Sequence, residues 1–311
     1  MKNYFFVNPV AGQGKGIDEL INKIRVAAEK LDQQVVTHIT QGVGDGEAKA
    51  REIAESLNGE PARFFACGGD GTTNEIINGV VGFDEIAVGC VPIGTGNDTM
   101  RSLDKDKDFL DIEAQLLGTE RSVDLIQYEG VLDGTLQKRY CINMVNIGFD
   151  CNVVELAARL KQKPLIEGSL AYLLAVIGIF IKKKGISLKL WEGDQLLVDG
   201  EVLLCAIANG AYCGGGMNTS PQSLLDDGVF DLNIVKDVTR LQFLNLFPKY
   251  KKGTHLSAPG IEKVISIKEC TGLTLEPYHK HFFICVDGEI YTAEKIQFNM
   301  VPRAIRVVVP K

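Results

Sequence analysis

The chain has 311 residues, 45% of them hydrophobic and 23% charged, with 40 acidic against 33 basic side chains and a net charge of −7. That length suits two domains, each with a core of its own, and the acidic balance argues against a general nucleic-acid binder, because no broad basic surface is left to neutralise phosphates. Eight cysteines lie scattered, mostly inside apolar runs and without a C-x-x-C pair, which fits small buried hydrophobes in a reducing, cytoplasmic setting with no disulfides.

In chain order, MKNYFFVNPV reads as a strand and a turn, without the apolar stretch and cleavage site of a secretory signal. YFFVNPV, VVTHIT, RFFACG and IAVGCVP are short β-branched or aromatic runs, and IDELINKIRVAAEKL and GEAKAREIAESL between them have helical spacing. The alternation to about residue 122 predicts βαβ units, that is, a parallel sheet with helices on both faces. Three glycine-rich turns, NPVAGQGKG (8–16), GGDGT (68–72) and PIGTGND (92–98), fall at the ends of predicted strands. Ligands of such sheets collect at the carboxyl ends of the strands, so the three turns are expected to line one rim and form one site.

CGGDGTTNEIINGV (67–80) carries the sharpest signal. A glycine costs roughly 0.5–1 kcal/mol in regular structure, so three within four positions call for a compensating use. Strand, glycine turn and helix bring free N–H groups and the positive end of a helix dipole together at Gly68 to Thr72, an anion site suited to phosphate. Asp70 would repel a bare phosphate and belongs there only with a cation such as Mg²⁺, or a hydroxyl donor, in between. The alternative is a tight turn with an Asp N-cap and no ligand. Neither G-x-G-x-x-G in its strand-helix context nor the Walker motif is present, since Lys15 is followed by Gly16.

Beyond residue 122 the texture changes to short strands with hairpin-like turns: VDLIQYEG, QKRYCINMVNIGF, ISLKLWEGDQLLV, EVLLCAIANG, GVFDLNIV, EKVISIKE, GLTLEP and HFFICVDGEIY. They predict a mostly antiparallel β domain, interrupted by helical stretches around 151–182 and near 239–250, with AIRVVVP free to rejoin either sheet. LAYLLAVIGIFI (170–181) is 12 residues long, short of the ~20 that span a bilayer. Lys182, Lys183 and Lys184, and again Lys249, Lys251 and Lys252, form basic patches that would suit an anionic membrane; the plain alternative is solvated lysines. The histidines at 38, 255, 279 and 281 lack metal-site spacing.

Taken together, NPVAG (8–12), GGDGTTNEIINGV, PIGTGND, VDL (123–125), NIGFD (146–150), ANGAYCGGGM (208–217), SPQSLLDDGVFD (220–231), GTH (253–255) and VDGE (286–289) resemble, in order, the diacylglycerol kinase-like lipid kinases, a superfamily that includes sphingosine and ceramide kinases and is distantly similar to the NAD kinases. The resemblance implies an α/β fold: a doubly wound parallel-sheet nucleotide-binding domain over 1–122, a mostly antiparallel β-sandwich lipid-substrate domain over 123–294, and a tail, 295–311, that packs back on the first. It implies ATP and an active site in the interdomain cleft. By position it puts Asn8, Gly12, Thr40, Gly69, Asp70, Gly71, Thr72, Thr73, Asn74, Glu75, Thr95, Asn97 and Asp98 at the nucleotide. Asp70 and Asp124 match carboxylates that organise a catalytic Mg²⁺ through water, and Glu289 matches the general base. A structural Mg²⁺ maps to Asp227 with the carbonyls of Leu224 and Val229. The implied reaction is transfer of the γ-phosphoryl group to a lipid hydroxyl, most simply that of diacylglycerol, by a cytoplasmic protein working at the inner membrane face. No nucleic-acid partner is expected, and a homodimer stays open. Two departures from the family pattern stand out: TQGVGDGEA (40–48) is about two residues longer than usual, and Thr99 and Met100 replace a common Phe-Ala. An NAD kinase-like or other small-molecule kinase, and a nucleotide- or lipid-binding regulator without turnover, remain as rival readings.

Overall fold

The computed structural model describes residues 1–14, 16–148, 185–279 and 282–311. Lys15, the end of NIGFD, the helical stretch 151–182 with its following lysines, Cys151, Lys280 and His281 lie outside the described residues. The chain forms two compact units, one of 1–125, 225–227 and 301–311, the other of 126–224 and 228–300.

The first unit is α/β. Strands β1 (Lys2–Val7), β2 (Gln34–Ile39), β3 (Ala62–Gly68) and β4 (Ile86–Pro92) alternate with helices α1 (Ile17–Lys30), α2 (Asp45–Ser56) and α3 (Asp70–Val80). All pairings among the four strands are parallel, in the order β4-β3-β1-β2. ARFFACG of β3 is buried at every position, as expected of a central strand covered on both faces. On one face Phe5 and Phe65 stack at 4.6 Å above Leu20, Ile24 and Ala27 of α1, together with Ile112 and Leu116 of α5 (Ile112–Leu116). Short helix α4 (Asp98–Asp104) follows β4. Arg306 and Val307 pair in parallel with Ala87 and Val88, so AIRVVVP joins this sheet. The buried Arg63 donates to the carbonyls of Leu116 and Gly118 and pairs with Glu120, which also takes Arg306.

The second unit is a mostly antiparallel β-sandwich. Its strands are β5 (Thr119–Leu132, which begins in the first unit), β6 (Thr135–Cys141), β7 (Met144–Gly148), β8 (Ile186–Glu192), β9 (Gln195–Val202), β10 (Leu204–Ala208), β11 (Tyr212–Cys213), β12 (Met217–Asn218), β13 (Phe230–Val235), β14 (Ile265–Cys270), β15 (Gly272–Pro277), β16 (Phe282–Val286) and β17 (Glu289–Val309, which ends in the first). β17 pairs first with β16 and then with β15, so one long strand serves both layers around a core that includes Tyr128, Phe230 and Phe298. Among the described residues of this unit, helix α6 (Arg240–Lys252) starts from a capping box of Thr239 and Gln242. Among the described residues no helix is long and apolar enough to cross a membrane, and the described cysteines are buried.

Two predicted strands differ. QKRYCINMVNIGF divides into β6 and β7 because the amides of Ile142, Asn143 and Met144 bond to a side chain, Asp287, and not to a neighbouring strand. EVLLCAIANG also divides, since Glu201 and Val202 complete β9 and a new strand starts at Leu204.

Candidate functional site

In the first unit β1, β3 and β4 end at the same edge of the sheet, and each runs into a glycine-rich turn. The turns are tied together. Asn8 donates its backbone N–H to the Cys67 carbonyl (2.9 Å) and its side-chain amide to Thr72 Oγ1 (3.0 Å); Gly94 donates to the Gly68 carbonyl (3.0 Å). Gly94 and Gly69 approach so closely that a Cβ on Gly94 would sit 2.5 Å from the Gly69 Cα. Gly12, at φ +59°, meets the third turn, where a Cβ would lie 2.8 Å from the Ile93 oxygen. Asn97 is held in the left-handed region (φ 58°) by side-chain bonds to the carbonyls of Pro92 (3.1 Å) and Gly94 (3.0 Å).

Helix α3 opens directly from this cluster. Its N-cap is Gly69, with no side-chain cap, and the N–H groups of Asp70, Gly71 and Thr72 take no acceptor among the described residues. That is the exposed-amide arrangement that receives an anion. The alternative in which Asp70 caps its own helix is not the one the structure shows: its carboxylate accepts the backbone N–H groups of Asp98 (3.2 Å) and Thr99 (3.0 Å) and so caps α4. Arg101 at the next turn donates to the Gly96 carbonyl and to Asp98 Oδ1.

The remaining residues of the expected nucleotide set divide by what they touch. Thr73 bonds the Gly69 carbonyl through its hydroxyl, and Asn74 receives the Asn78 amide; both are buried within α3. Glu75 reaches away from the glycine turns and accepts the Gly44 N–H at 2.9 Å, at the start of α2. Thr40 is buried, its N–H on the Val7 carbonyl (2.9 Å), and the loop after it is fixed by Asp45, which accepts from Gln41 and meets His38 Nε2 at 2.8 Å. The bond to His38 holds the Asp45 carboxyl below its ordinary range. Thr95 is exposed at the tip of the third turn. Asp124 is 1% exposed, with its N–H on the Leu225 carbonyl (2.7 Å) and its Oδ1 accepting the Arg303 N–H (2.6 Å).

In the second unit Glu289 is exposed at the start of β17, paired with Val286 across a two-residue Asp-Gly turn. Asp287 of that turn was not singled out from sequence. It is 4% exposed and accepts three backbone amides, from Ile142, Asn143 and Met144, plus the Cys141 thiol. Burial, reinforced by this carboxylate, pushes the Cys141 thiol well above its ordinary value. Of the expected structural-metal set, Leu224 and Asp227 are exposed and Val229 leads into β13. Among the described residues no three His, Cys, Asp or Glu side chains cluster as metal ligands.

The second unit also holds a small apolar pocket of about 40 Å³, lined by Leu203, Val235, Phe243, Phe247, Tyr250 and His255 among others. His255 is 1% exposed, lies 4.9 Å from the Tyr250 ring, and leaves Nδ1 without a partner. Burial lowers its pKa and keeps the imidazole neutral. Sequence spacing gave no sign of this pocket.

Residues 2–128 match the family described as diacylglycerol kinase catalytic domain, and residues 143–309 match the YegS C-terminal NAD kinase beta sandwich-like domain. Among similar proteins, a diacylglycerol kinase of Bacillus subtilis (strain 168) is 28% identical over 98% of this chain and 95% of its own. One of Staphylococcus epidermidis is 27% identical over 98% and 90%. A crystal structure of a diacylglycerol kinase from Bacillus anthracis str. Sterne shares the fold, with a TM-score of 0.69 at 20% identity over 99% of this chain and 96% of that one. Yeast NADH kinase shares it more distantly, with a TM-score of 0.52 at 8% identity over 100% of this chain and 84% of that one.

Proposed function

The chain belongs to the diacylglycerol kinase-like family of lipid kinases, and from that membership we propose that it is an ATP- and Mg²⁺-dependent kinase that transfers the γ-phosphoryl group to a lipid hydroxyl, with diacylglycerol as acceptor and phosphatidic acid as product. The observation that carries the reading is the convergence of three glycine turns on the uncapped start of α3, with Gly94 against Gly69. Phosphoryl transfer is chiefly positioning and charge neutralisation, which unpaired amides at a helix start tied to the strand ends would supply. Asn8, Gly12, Thr40, Gly69 to Glu75, Thr95, Asn97 and Asp98 are the proposed nucleotide set. Thr73, Asn74 and Glu75 act in it by shaping α3 and the loop before α2. The domain limits near 122 and 294 belong to the same proposal.

Asp70 and Asp124 are the residues proposed to hold Mg²⁺ through water, and their chemistry fits. Both are hard oxygen donors. Each Asp70 oxygen accepts a single amide and keeps a further lone pair. Bound there, the cation would neutralise phosphate charge. Glu289, exposed and on a fixed hairpin, is the proposed base that takes the proton of the acceptor hydroxyl. Asp227 with the carbonyls of Leu224 and Val229 remains the proposed structural site.

The distant fold likeness to an NADH kinase favours a second reading, a nucleotide acceptor. Against it stand the relatives matched along nearly the whole chain, which are diacylglycerol kinases at 28% and 27% identity. Incubation with Mg-ATP and a panel of diacylglycerol, other hydroxyl lipids and NAD decides. Phosphorylated lipid is the expected product; phosphorylated NAD with no lipid product overturns the assignment. Nucleotide binding without any turnover would make the protein a regulator.

A further inference from the structure

Helix α6 is apolar on two sides. Phe243, Leu246, Phe247 and Tyr250 line the pocket, with the Phe243 and Phe247 rings stacked at 5.3 Å. Leu241 and Leu244, spaced i and i+3, and Pro248 a turn further on share the opposite side, where the two leucines are 69% and 59% exposed. The helix RLQFLNLFPKYKK carries Lys249, Lys251 and Lys252 in its last turn and no acidic residue, in a chain whose net charge is −7. None of these three lysines forms an ion pair among the described residues. The helix dipole alone does not explain the pattern. It favours cations at the end of a helix and acids at the start, and the first turn here holds Arg240 and no acid.

A solvent-facing helix with an exposed apolar stripe and a one-sign basic flank matches an anionic, partly apolar partner, which is the chemistry of a headgroup layer over acyl chains. We propose that the outward face of α6 docks the protein on an anionic lipid bilayer, with Leu241 and Leu244 entering the interface and Lys249, Lys251 and Lys252 on the headgroups. The inference deepens the lipid-kinase reading and rests on it for its purpose, since a lipid acceptor is met at a bilayer surface.

The test uses the full chain and sedimentation with vesicles of pure phosphatidylcholine or of phosphatidylcholine with a third phosphatidylglycerol. Wild type is expected to bind the anionic vesicles, and less so as salt rises. Each Lys→Gln change is expected to weaken binding by about fivefold, and K249Q/K251Q/K252Q by about 100-fold. L241S/L244S should weaken it by at least about tenfold through lost apolar burial. All five positions are exposed, so unchanged thermal unfolding of the variants is expected and is checked alongside. A triple lysine variant that binds anionic vesicles within twofold of wild type overturns the proposal, as does wild type that binds neutral and anionic vesicles equally. In either case the face would belong to an acidic protein or a second copy.

A parallel assay on a short-chain diacylglycerol dispersed in water separates this inference from the functional reading. If no lipid is phosphorylated while the lysine variants still lose vesicle binding, the kinase assignment fails and the docking face stands. Turnover on the dispersed acceptor with unaltered vesicle binding by the variants sinks the docking face alone.

Discussion

Gly94→Ala tests the geometry on which nucleotide binding is proposed to depend. The added Cβ would stand 2.5 Å from the Gly69 Cα and 3.0 Å from its nitrogen, both backbone atoms that no rotamer change can move. Restoring an ordinary contact of about 3.5 Å forces the third turn away from the second by roughly 1 Å, at an overpacking cost of about 1–3 kcal/mol. A misplacement of that size is expected to lower kcat/KM by about 100-fold. Gly69→Ala makes the complementary case. Its Cβ meets only the Gly94 Cα, at 3.6 Å, so the free protein should tolerate it, while a phosphate lying on the turn would collide with the new methyl. Gly42→Ala, with nothing within 4 Å, serves as the control. The assay is titration of ATP with and without Mg²⁺ by calorimetry, followed by steady-state kinetics. Wild-type ATP affinity in Gly69→Ala would refute the reasoning, because the phosphates would then lie elsewhere.

Glu289→Gln should keep ATP affinity and reduce turnover by about 10²–10⁴-fold if the carboxylate is the base; retained turnover removes it from the mechanism. Asp70→Asn can accept only one of the two amides of α4, so a stability loss of about 1–2 kcal/mol by chemical unfolding is expected together with lost Mg²⁺ dependence, and unchanged stability would contradict the capping bonds. Asp287→Ala leaves three buried amides without an acceptor and should cost at least about 4 kcal/mol, read as a lower denaturant midpoint or insoluble expression. His255 has a folded pKa below its usual 6.5, so the unfolded chain binds its proton first as pH falls. The stability it contributes is full above pH 6.5 and is lost as pH drops through the folded value. His255→Leu should flatten the pH dependence of unfolding below pH 6.5; an unchanged slope would show that the imidazole is not held neutral.

Local pattern carried the first unit's elements because each of its signals is local. RFFACG has no polar position to spare except Arg63, which is met by two carbonyls and Glu120, and the glycine turns fall where the strands stop. What the sequence did not disclose depends on partners far along the chain. Asp70 finds its amides 28 and 29 residues away, and no spacing rule distinguishes a carboxylate that caps a later helix from one that caps its own. The Asp-Gly turn at 287–288 was readable as a hairpin. That its acid would be buried under the amides of 142–144, breaking a run that looks like one strand, follows from the order of β7 and β16 in the sheet, which composition does not encode. Helix α6 was readable as a helix, yet the division of its apolar residues between a pocket and an outward stripe depends on which side the sheet covers.

The acid among the glycines, awkward for a phosphate site when only the sequence is considered, has a structural answer that leads on to the metal. Asp70 lies in the first turn of α3, where the helix end contributes about half a positive charge, and it spends two further interactions on the amides of Asp98 and Thr99. Those contacts compensate the carboxylate while tying the second and third glycine turns to each other, so the side chain that would repel phosphate also builds the nest proposed to receive it. The compensation balances one negative charge and leaves little surplus. A triphosphate adds several more, and the unpaired amides of Gly71 and Thr72 bring only partial charges to meet them. A divalent cation therefore enters the proposal as a consequence of the charge count at this turn.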